Sequence, residues 1–438
     1  MDQAPVKLAH NVTRLGHLDL EGAGQILVDG HHAFVGHITN KAGLGTSIVD
    51  VADPKNPKVI CQMPVGDPNS HSHKARAVGD IMITNMEQNM TAIGRKADEL
   101  PKLRTVMKAE LGREATDAEL AAKLGVSAAD IPEVDALAKR PYAEGGFKVW
   151  DIKDRKNPKL LTHVRTHGRG THRFDMDANY AYISTEMPGY IGNILVIYDL
   201  KNPAKPEEVS RWHIPGQHLA GGEKPTWPGR QHRLHHTVRV GNRLFAGCWH
   251  GGVRIVDVND IRKPTTIGAY NYHPPMPEPS HTFMGLTQKI NGRDIAVAID
   301  EEDHVHSDAE VAKRRGRPHA ALWTFDITEP ANIKPMGVFE VSELESPWAR
   351  TAPGRFGGHQ FQEHWKGGDT LVYCAWFAGG LRIVDVADPA SPQEVGWYIP
   401  EPCGGKPCPQ TNDIEVDDRR LVYAVDRYCG LDILEFKR

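Results

Sequence analysis

The stretch RLHHTVRVGNRLFAGCWHGGVRIVDV, residues 233–258, holds two alternating apolar runs, RLHHTVRV and RLFAGCW, and a third, VRIVDV, that ends in an aspartate-bearing turn. Alternation over so few residues, punctuated by glycines, reads as three short antiparallel strands. The third run is not unique. TSIVDV (46–51), FKVWDI (147–152), LVIYDL (195–200), LWTFDI (322–327), LRIVDV (381–386) and LDILEF (431–436) share its pattern, making seven copies. Most lead into a proline-bearing turn, as in ADPKNP, KDRKNP, NDIRKP and ADPASP, and then into a fourth strand such as KVICQM or QEVGWYI. Four strands per unit and seven units predict an all-β fold, a seven-bladed β-propeller.

The chain ends predict how the ring closes. The seventh copy stops at Arg438 with no room for a fourth strand, and VTRLGHLDL (12–20) reads like the fourth strands elsewhere. The expected architecture is one propeller domain over 1–438, closed by the N-terminal strand so that no sheet edge is left free, with a helical insertion at 86–145 in blade two.

Composition narrows the function classes. The 438 residues are 40% hydrophobic with a formal net charge of −4, so no basic footprint for nucleic acid and no polybasic membrane signal is present. No run is long and apolar enough to span a membrane, and MDQAPVKLAHN lacks the features of a secretory signal. As written the chain reads as cytoplasmic, or as periplasmic or secreted if a leader has been removed. Of six cysteines only Cys403 and Cys408, in CGGKPC, are close in sequence, as a disulfide or as two loop thiols.

Laying the first strands over one another answers why histidines flank the quoted strands. HKARAV starts at His73, HRFDMD at His172, HTVRV at His236, HTFMG at His281 and HQFQE at His359, whereas Asn412 and Gly24 hold this place in the remaining units. In a propeller the first strand of each blade is innermost, so these imidazoles would converge on the axis. Convergent imidazole is a common way to hold Zn, Cu, Fe or Ni. The second strands end at His37, Asn85, Glu186, His250, Glu301 and Asp426. A carboxylate there would orient a ligating histidine from behind, which makes His37, Glu186, His250, Glu301 and Asp426 the expected supporting set. Arg76, Arg239, His304 and His306 are candidates for binding substrate, and Asp175, Gln362 and Glu415 are further polar residues of the inner strands.

Two family resemblances rest on these segments. The repeated IVDV followed by DPxxP resembles the bacterial LVIVD-repeat proteins over nearly the whole chain, which implies a propeller fold. HSHKARAVGDIMI (71–83) followed by GGFKVWD (145–151) is similar to the selenium-binding protein and methanethiol oxidase family, with Lys74 where a cysteine would be expected. That resemblance implies a copper-dependent thiol oxidase. In layout alone the histidines with carboxylates behind them resemble the iron-binding carotenoid oxygenases.

The long segments 86–145, 213–235, 301–320 and 341–358 all fall on the histidine face, where loops of such length act as lids. Within the first, ELGREATDAELAAKLGVSAADIPEVDALAKR has helical spacing and start signals at Thr116 and Ser127, and resembles the helix-turn-helix segment of bacterial sigma factors. Its mixed charges point to a lid or a dimer contact rather than to DNA. The expectation is therefore a metal-dependent oxidoreductase of oxidase or oxygenase type acting on a small organic molecule. One copper or iron ion would lie on the axis. A zinc-dependent lyase or hydrolase and a non-catalytic binding propeller are the alternatives.

Overall fold

Each repeated aspartate closes the turn that follows its strand. Asp50, Asp151, Asp199, Asp257, Asp326 and Asp385 each accept the backbone N–H two residues on, at 2.6–2.9 Å. Such a side chain mimics a backbone turn and reverses the chain. The apolar residue after it, as at Val51, Ile152, Leu200, Val258, Ile327 and Val386, is buried. Its N–H bonds back to the preceding hairpin, Val51 to His31 O and Val386 to Thr370 O for example, at 2.9 Å. The repeat is thus a turn cap joined to an anchor.

The computed structural model describes residues 6–438 except 39–41, 90–91, 140–141, 228–230, 304–316, 352 and 366–368. Its strands form antiparallel meanders. Ala23–Asp29, His32–His37, Leu44–Asp50 and Lys58–Pro64 pair in that order. Ser70–His71 and Ala75–Val78 share one partner, Ile81–Gln88, which continues to Gly146–Asp151 and Lys159–Arg165. The same pattern starts again at His167–Met176, His232–Val240, Ser280–Ile290 and Gln360–Phe361. The last meander runs through Thr411–Val416, Leu421–Asp426 and Gly430–Phe436, and takes its outer strand from the other end of the chain. There Val12 lies opposite Phe436 and Leu18 opposite Leu431. Ala9–His10 then adds to the neighbouring meander, opposite Tyr398 and Trp397.

The first strands touch one another round a closed circuit. It passes from 23–29 to 75–78, 167–176, 232–240, 280–290, 360–361 and 411–416, and returns to 23–29. Apolar side chains fill the wedges between neighbouring meanders. Phe34 and Ile48 meet Met82 and Ile152; Tyr182 and Leu195 meet Leu244 and Val256; Tyr423 and Ile433 meet Ile26 and Val35. Because the core lies in the wedges, the inner wall is left to polar groups.

Between Ile81–Gln88 and Gly146–Asp151 stand three helices, α1 (Ala92–Leu111), α2 (Asp117–Leu124) and α3 (Ile131–Lys139). Thr116 caps α2 in a reciprocal box with Glu119, and Leu100, Leu120, Leu124, Ile131 and Val134 make a cluster of their own. Among the described residues no helix is long and apolar enough to cross a membrane.

The cysteine expectation needs correction. Cys403 is bonded to Cys429, whose Cα is 5.5 Å away, while Cys408 is a free buried thiol against Thr351 and Pro353. Nearness in sequence did not bring the CGGKPC sulfurs together, because the turn after Asp426 carries Cys429 to Cys403.

Deleting residues 6–20 would leave Gly430–Phe436 with an open edge. The expected outcome is a lower melting temperature and self-association by light scattering. A truncated protein that melts like the parent and stays monodisperse would show that this strand does not close the sheet.

Candidate metal centre

A recurring irregularity aims the histidines. Pairing in the first strands skips a residue between Ala23 and Gln25, Thr171 and Arg173, Ser280 and Thr282, and Thr411 and Asp413. A further shift lies between His232 and His236. At His359 two residues face one, since Gln360 pairs with Ala375 while the His359 N–H also bonds Ala375 O at 3.1 Å. A bulged residue leaves the ladder, and its side chain turns away from the regular alternation. His172, His235, His281 and His359 take these places, with Gly24 and Asn412 in the other two. Glycines on adjacent strands give the bulges room. A Cβ on Gly36 would lie 2.3 Å from His73 C, and one on Gly247 would lie 2.4 Å from His281 O.

The result is an arc of imidazoles. Ring centroids are 5.4 Å apart from His73 to His172, 4.7 Å to His235, 4.1 Å to His281 and 4.5 Å to His359. His71 flanks the arc at 4.6 Å from His73.

Hydrogen-bond partners assign the ring protons. His172 Nδ1 meets Glu87 Oε1 at 2.8 Å and Oε2 at 2.9 Å, and His235 Nδ1 meets His281 O at 3.1 Å. Both partners only accept, so both Nδ1 atoms carry hydrogen. His359 Nδ1 donates to Asn412 O in the same way. Thr282 Oγ1 donates to Gln360 Oε1 at 2.7 Å and so accepts from His281 Nδ1 at 2.8 Å. Four Nε2 lone pairs therefore face the arc, and that of His281 also accepts from Arg173 Nη1 at 3.3 Å. Those of His172 and His235 face one another across 2.9 Å. His73 differs, since Asn85 Nδ2, which also donates to Thr171 O, donates to His73 Nδ1 at 3.1 Å and leaves the proton on Nε2.

Carboxylates complete the arrangement. Glu87 accepts from His172 and from His71 Nε2 at 3.0 Å. Glu301 is 3.9 Å from His281 Nε2 and 3.8 Å from His359 Nε2, and receives Arg355 Nη1 at 2.8 Å. One ligand atom from each of His235, His281 and Glu301 lies within 4.8 Å of the others, and His71, His73 and Glu87 form a second such group. Both groups already have donors: Glu87 takes two N–H groups and His73 Nδ1 that of Asn85 in the second, while Arg173 reaches His281 Nε2 and Arg355 reaches Glu301 in the first. The first group, with His172 and His359, is set apart by the facing Nε2 lone pairs of His172 and His235.

Electrostatics favour a neutral, lone-pair-bearing arc. Burial pushes His73, His235, His281 and His359 well below the usual imidazole value, and neighbouring imidazoles and guanidiniums add to the shift. Burial lowers His172 as well, while Glu87 pulls it back. Burial raises Glu87, but charge and hydrogen bonds from His172 and His71 outweigh it and hold the carboxyl well below its ordinary range.

Below the arc lies a charged plug. Arg76 and Arg173 both ion-pair with Glu363, Gln360 donates to it, and His236 Nδ1 is 3.1 Å from its Oε1. All are buried.

The LVIVD-repeat family model matches residues 176–213 and 370–399. These two stretches carry LVIVD repeats. Among solved structures the chain is similar to a putative 6-phosphogluconolactonase from Bacteroides uniformis ATCC 8492, with TM-score 0.56 and 11% identity over 92% of this chain and 91% of that one. It is similar to the periplasmic gluconolactonase PpgL of Pseudomonas aeruginosa, with TM-score 0.51 and 11% identity over 93% and 99%. The β-propeller domain of Cps50 (Swd1) from Myceliophteria thermophila gives TM-score 0.51 and 11% identity over 98% and 100%. At such identities the likeness is one of fold, an all-β propeller. No curated protein matches the chain.

Around the LVIVD repeats the residues expected from sequence separate. His73, His172, His281, His359 and Glu301 come together. His236 does not join them: it pairs in the ladder with Gly247, and His235, in the bulge, stands in the arc instead. The carboxylate behind His172 is Glu87 rather than Glu186, which accepts from Arg169 N. Glu87 lies two residues beyond Asn85 on the same strand, a period-2 signal that could have found it. His37 bonds Glu21 O and Ser47, His250 bonds Pro277 O, and Asp426 caps its own turn, so none of them backs an arc histidine. Arg76 belongs to the plug and Arg239 pairs with Asp177. His304 and His306 lie outside the described residues.

The Gly247→Ala variant should force His281 O away and disturb the His235 hydrogen bond it accepts. A loss of about 1–3 kcal/mol in stability is expected from such overpacking, read as a lowered melting temperature. His273, bonded to Met276 O at 2.9 Å and Ser280 Oγ at 3.0 Å, anchors the start of the His281 strand, and burial pushes it down to about 4. The unfolded chain takes up this proton near pH 6.5 and the folded one only near 4. Its contribution is therefore full above pH 6.5 and lost as the pH falls toward 4, at about 1.4 kcal/mol per unit. A His273→Gln variant should show a stability–pH slope shallower by one proton in that window; an unchanged slope would exclude His273 from it.

Proposed function

We propose that the protein is a metal-dependent oxidoreductase of oxidase or oxygenase type, in which His172, His235, His281 and His359 hold one iron or copper ion through Nε2 and a small organic molecule is the substrate. The observation that carries this reading is the pair of facing lone pairs on His172 and His235, 2.9 Å apart. A shared proton there would require an imidazolium, which burial disfavours at both rings. A cation satisfies both nitrogens. Imidazole donors without a thiolate suit Fe, Cu, Ni and Zn; the resemblance to the selenium-binding proteins favours copper, and the layout shared with the carotenoid oxygenases favours iron. Bound there, the ion would supply a Lewis-acidic, redox-active centre.

The chain's own groups have definable tasks. Glu87 holds the His172 ring and raises its basicity, and the bond from Asn85 keeps His73 Nε2–H as a donor toward a bound group. Asp67, Asn69, Gln88, Leu137, Tyr142 and Glu144 are among the residues lining a cleft of about 310 Å³ next to the strand that bears Glu87. That volume suits a small molecule. This reading takes the meanders as seven blades of one domain, 1–438, with 86–145 as a lid that also offers a surface for a homo-oligomer. It includes neither nucleic acid nor membrane as a partner. The Cys403–Cys429 bond favours an oxidising compartment such as the periplasm over the cytoplasm.

A zinc-dependent hydrolase or lyase is the second reading, favoured by the lactonases among the propellers of similar fold. Elemental analysis of protein purified without added metal separates the two: stoichiometric iron or copper supports the first, zinc the second, and no metal leaves a binding propeller. In the same assay His235→Ala should empty the site and Glu87→Gln should weaken binding or activity about 10- to 100-fold. His236→Ala should retain metal. If His236→Ala loses metal and His235→Ala keeps it, the arc is not the site.

A further inference from the structure

We infer that the substrate of this site carries an oxyanionic group, a carboxylate or phosphate, held by Arg355 and Arg427 at the His359 end of the arc. The inference rests on the arc being the reaction site and adds the class of molecule it takes. Both guanidiniums lie over one ring, Arg355 Cζ at 3.9 Å and Arg427 Cζ at 5.3 Å from the centroid of Phe377, and that ring is 4.7 Å from His359. Among the described residues the carboxylate that pairs directly with either charge is Glu301, on Arg355 alone. Glu301 Oε1 accepts from Arg355 Nη1 at 2.8 Å, and the same Nη1 also reaches Glu302 O at 3.1 Å. Arg427 spends only Nε, on Asn412 Oδ1 at 2.6 Å. Among the described residues no acceptor meets either Nη of Arg427 or Nη2 of Arg355. An unpaired guanidinium beside another in a desolvated place is unfavourable unless an anion joins them, and the planar fork matches an oxyanion's two oxygens.

The Arg427 turn is built to hold that geometry. Asp426 accepts the backbone N–H of Tyr428 at 2.8 Å, of Cys429 at 3.1 Å and of Gln410 at 2.6 Å, and Cys429 is tied to Cys403. Arg355 is fixed by Gln410 as well, whose Oε1 accepts its N–H at 3.1 Å and whose Nε2 donates to its carbonyl at 3.0 Å. A third guanidinium, Arg233, stands over Trp249 at 4.5 Å beside His235 and forms no ion pair among the described residues, so the positive rim continues along the arc. Preorganised donors of this kind bind without a large ordering cost.

Calorimetric titration with inorganic phosphate and with benzoate, on chelator-stripped and on metal-loaded protein, tests the inference. One or both anions should bind in each state, and which of them binds more tightly distinguishes phosphate from carboxylate. Arg427→Gln should weaken binding at least about tenfold while metal content stays that of the parent. Arg427→Lys keeps the charge without the fork and should lie between, which provides the test if the Gln variant does not fold. If the parent protein takes up no metal yet binds the anion in an Arg427-dependent way, the metal reading fails and this one stands. Binding that is unaffected by Arg427→Gln, or that vanishes on stripping whatever stands at 427, would place the anion elsewhere and overturn it.

Discussion

The site depends on the bulge at the head of each inner strand. A regular ladder alternates its side chains between the two sheet faces, and no residue of it needs to turn toward the axis. One skipped pairing releases a side chain from that alternation. Repeated round the closed circuit of first strands, the same local defect turns separate imidazoles into neighbours 4–5 Å apart at ring centroids. The bulges also account for the glycines opposite, since Gly36 and Gly247 sit where any Cβ would collide with the released backbone. The charged plug meets this geometry through Arg173, whose Nη1 reaches His281 Nε2.

Polar groups on the axis are tolerable because the apolar core lies elsewhere. The wedges between meanders bury the Val, Ile, Leu and Phe residues, and the inner wall has to satisfy whatever faces it. Glu363 with Arg76 and Arg173 does so as a paired network of buried charge. Such a network stabilises little by itself, since desolvation offsets the attraction, but breaking it would strand a buried charge. Above it the histidines stay neutral for the same reason that the plug must be paired: a lone charge is costly there. Neutral imidazole with Nδ1 bonded is also the form that leaves Nε2 open. Desolvation and hydrogen bonding thus lead to the same protonation state.

Pairing register and approach between meanders set the limit of what the sequence conveys about the site. In LHHTVRV either histidine could begin the strand, and laying HTVRV over the other strand heads points to His236. From His232 to His236 the inner strand advances four residues against two from Trp249 to Gly247, and this irregularity selects His235. The sequence places the supporting carboxylate at the strand end opposite each histidine in its own meander. Glu87 instead reaches His172 from the preceding meander. Cys429, Arg355 and Arg427 showed no local signal at all, because each acts through a partner more than twenty residues away or in another meander.

The sequence by itself determined the repeat, the strand order within it, the turn-capping aspartates, the closing role of residues 12–20 and the presence of histidines at the strand heads. All of these follow from spacing within about forty residues or from a pattern that recurs. The tertiary structure alone decided which histidine of an adjacent pair faces the axis, which carboxylate stands behind it, which tautomer each ring adopts and which arginines are left unpaired. Those outcomes depend on pairing register and on approach between meanders, and a one-residue shift in register, invisible to composition and periodicity, exchanges the side chain that faces the axis for its neighbour.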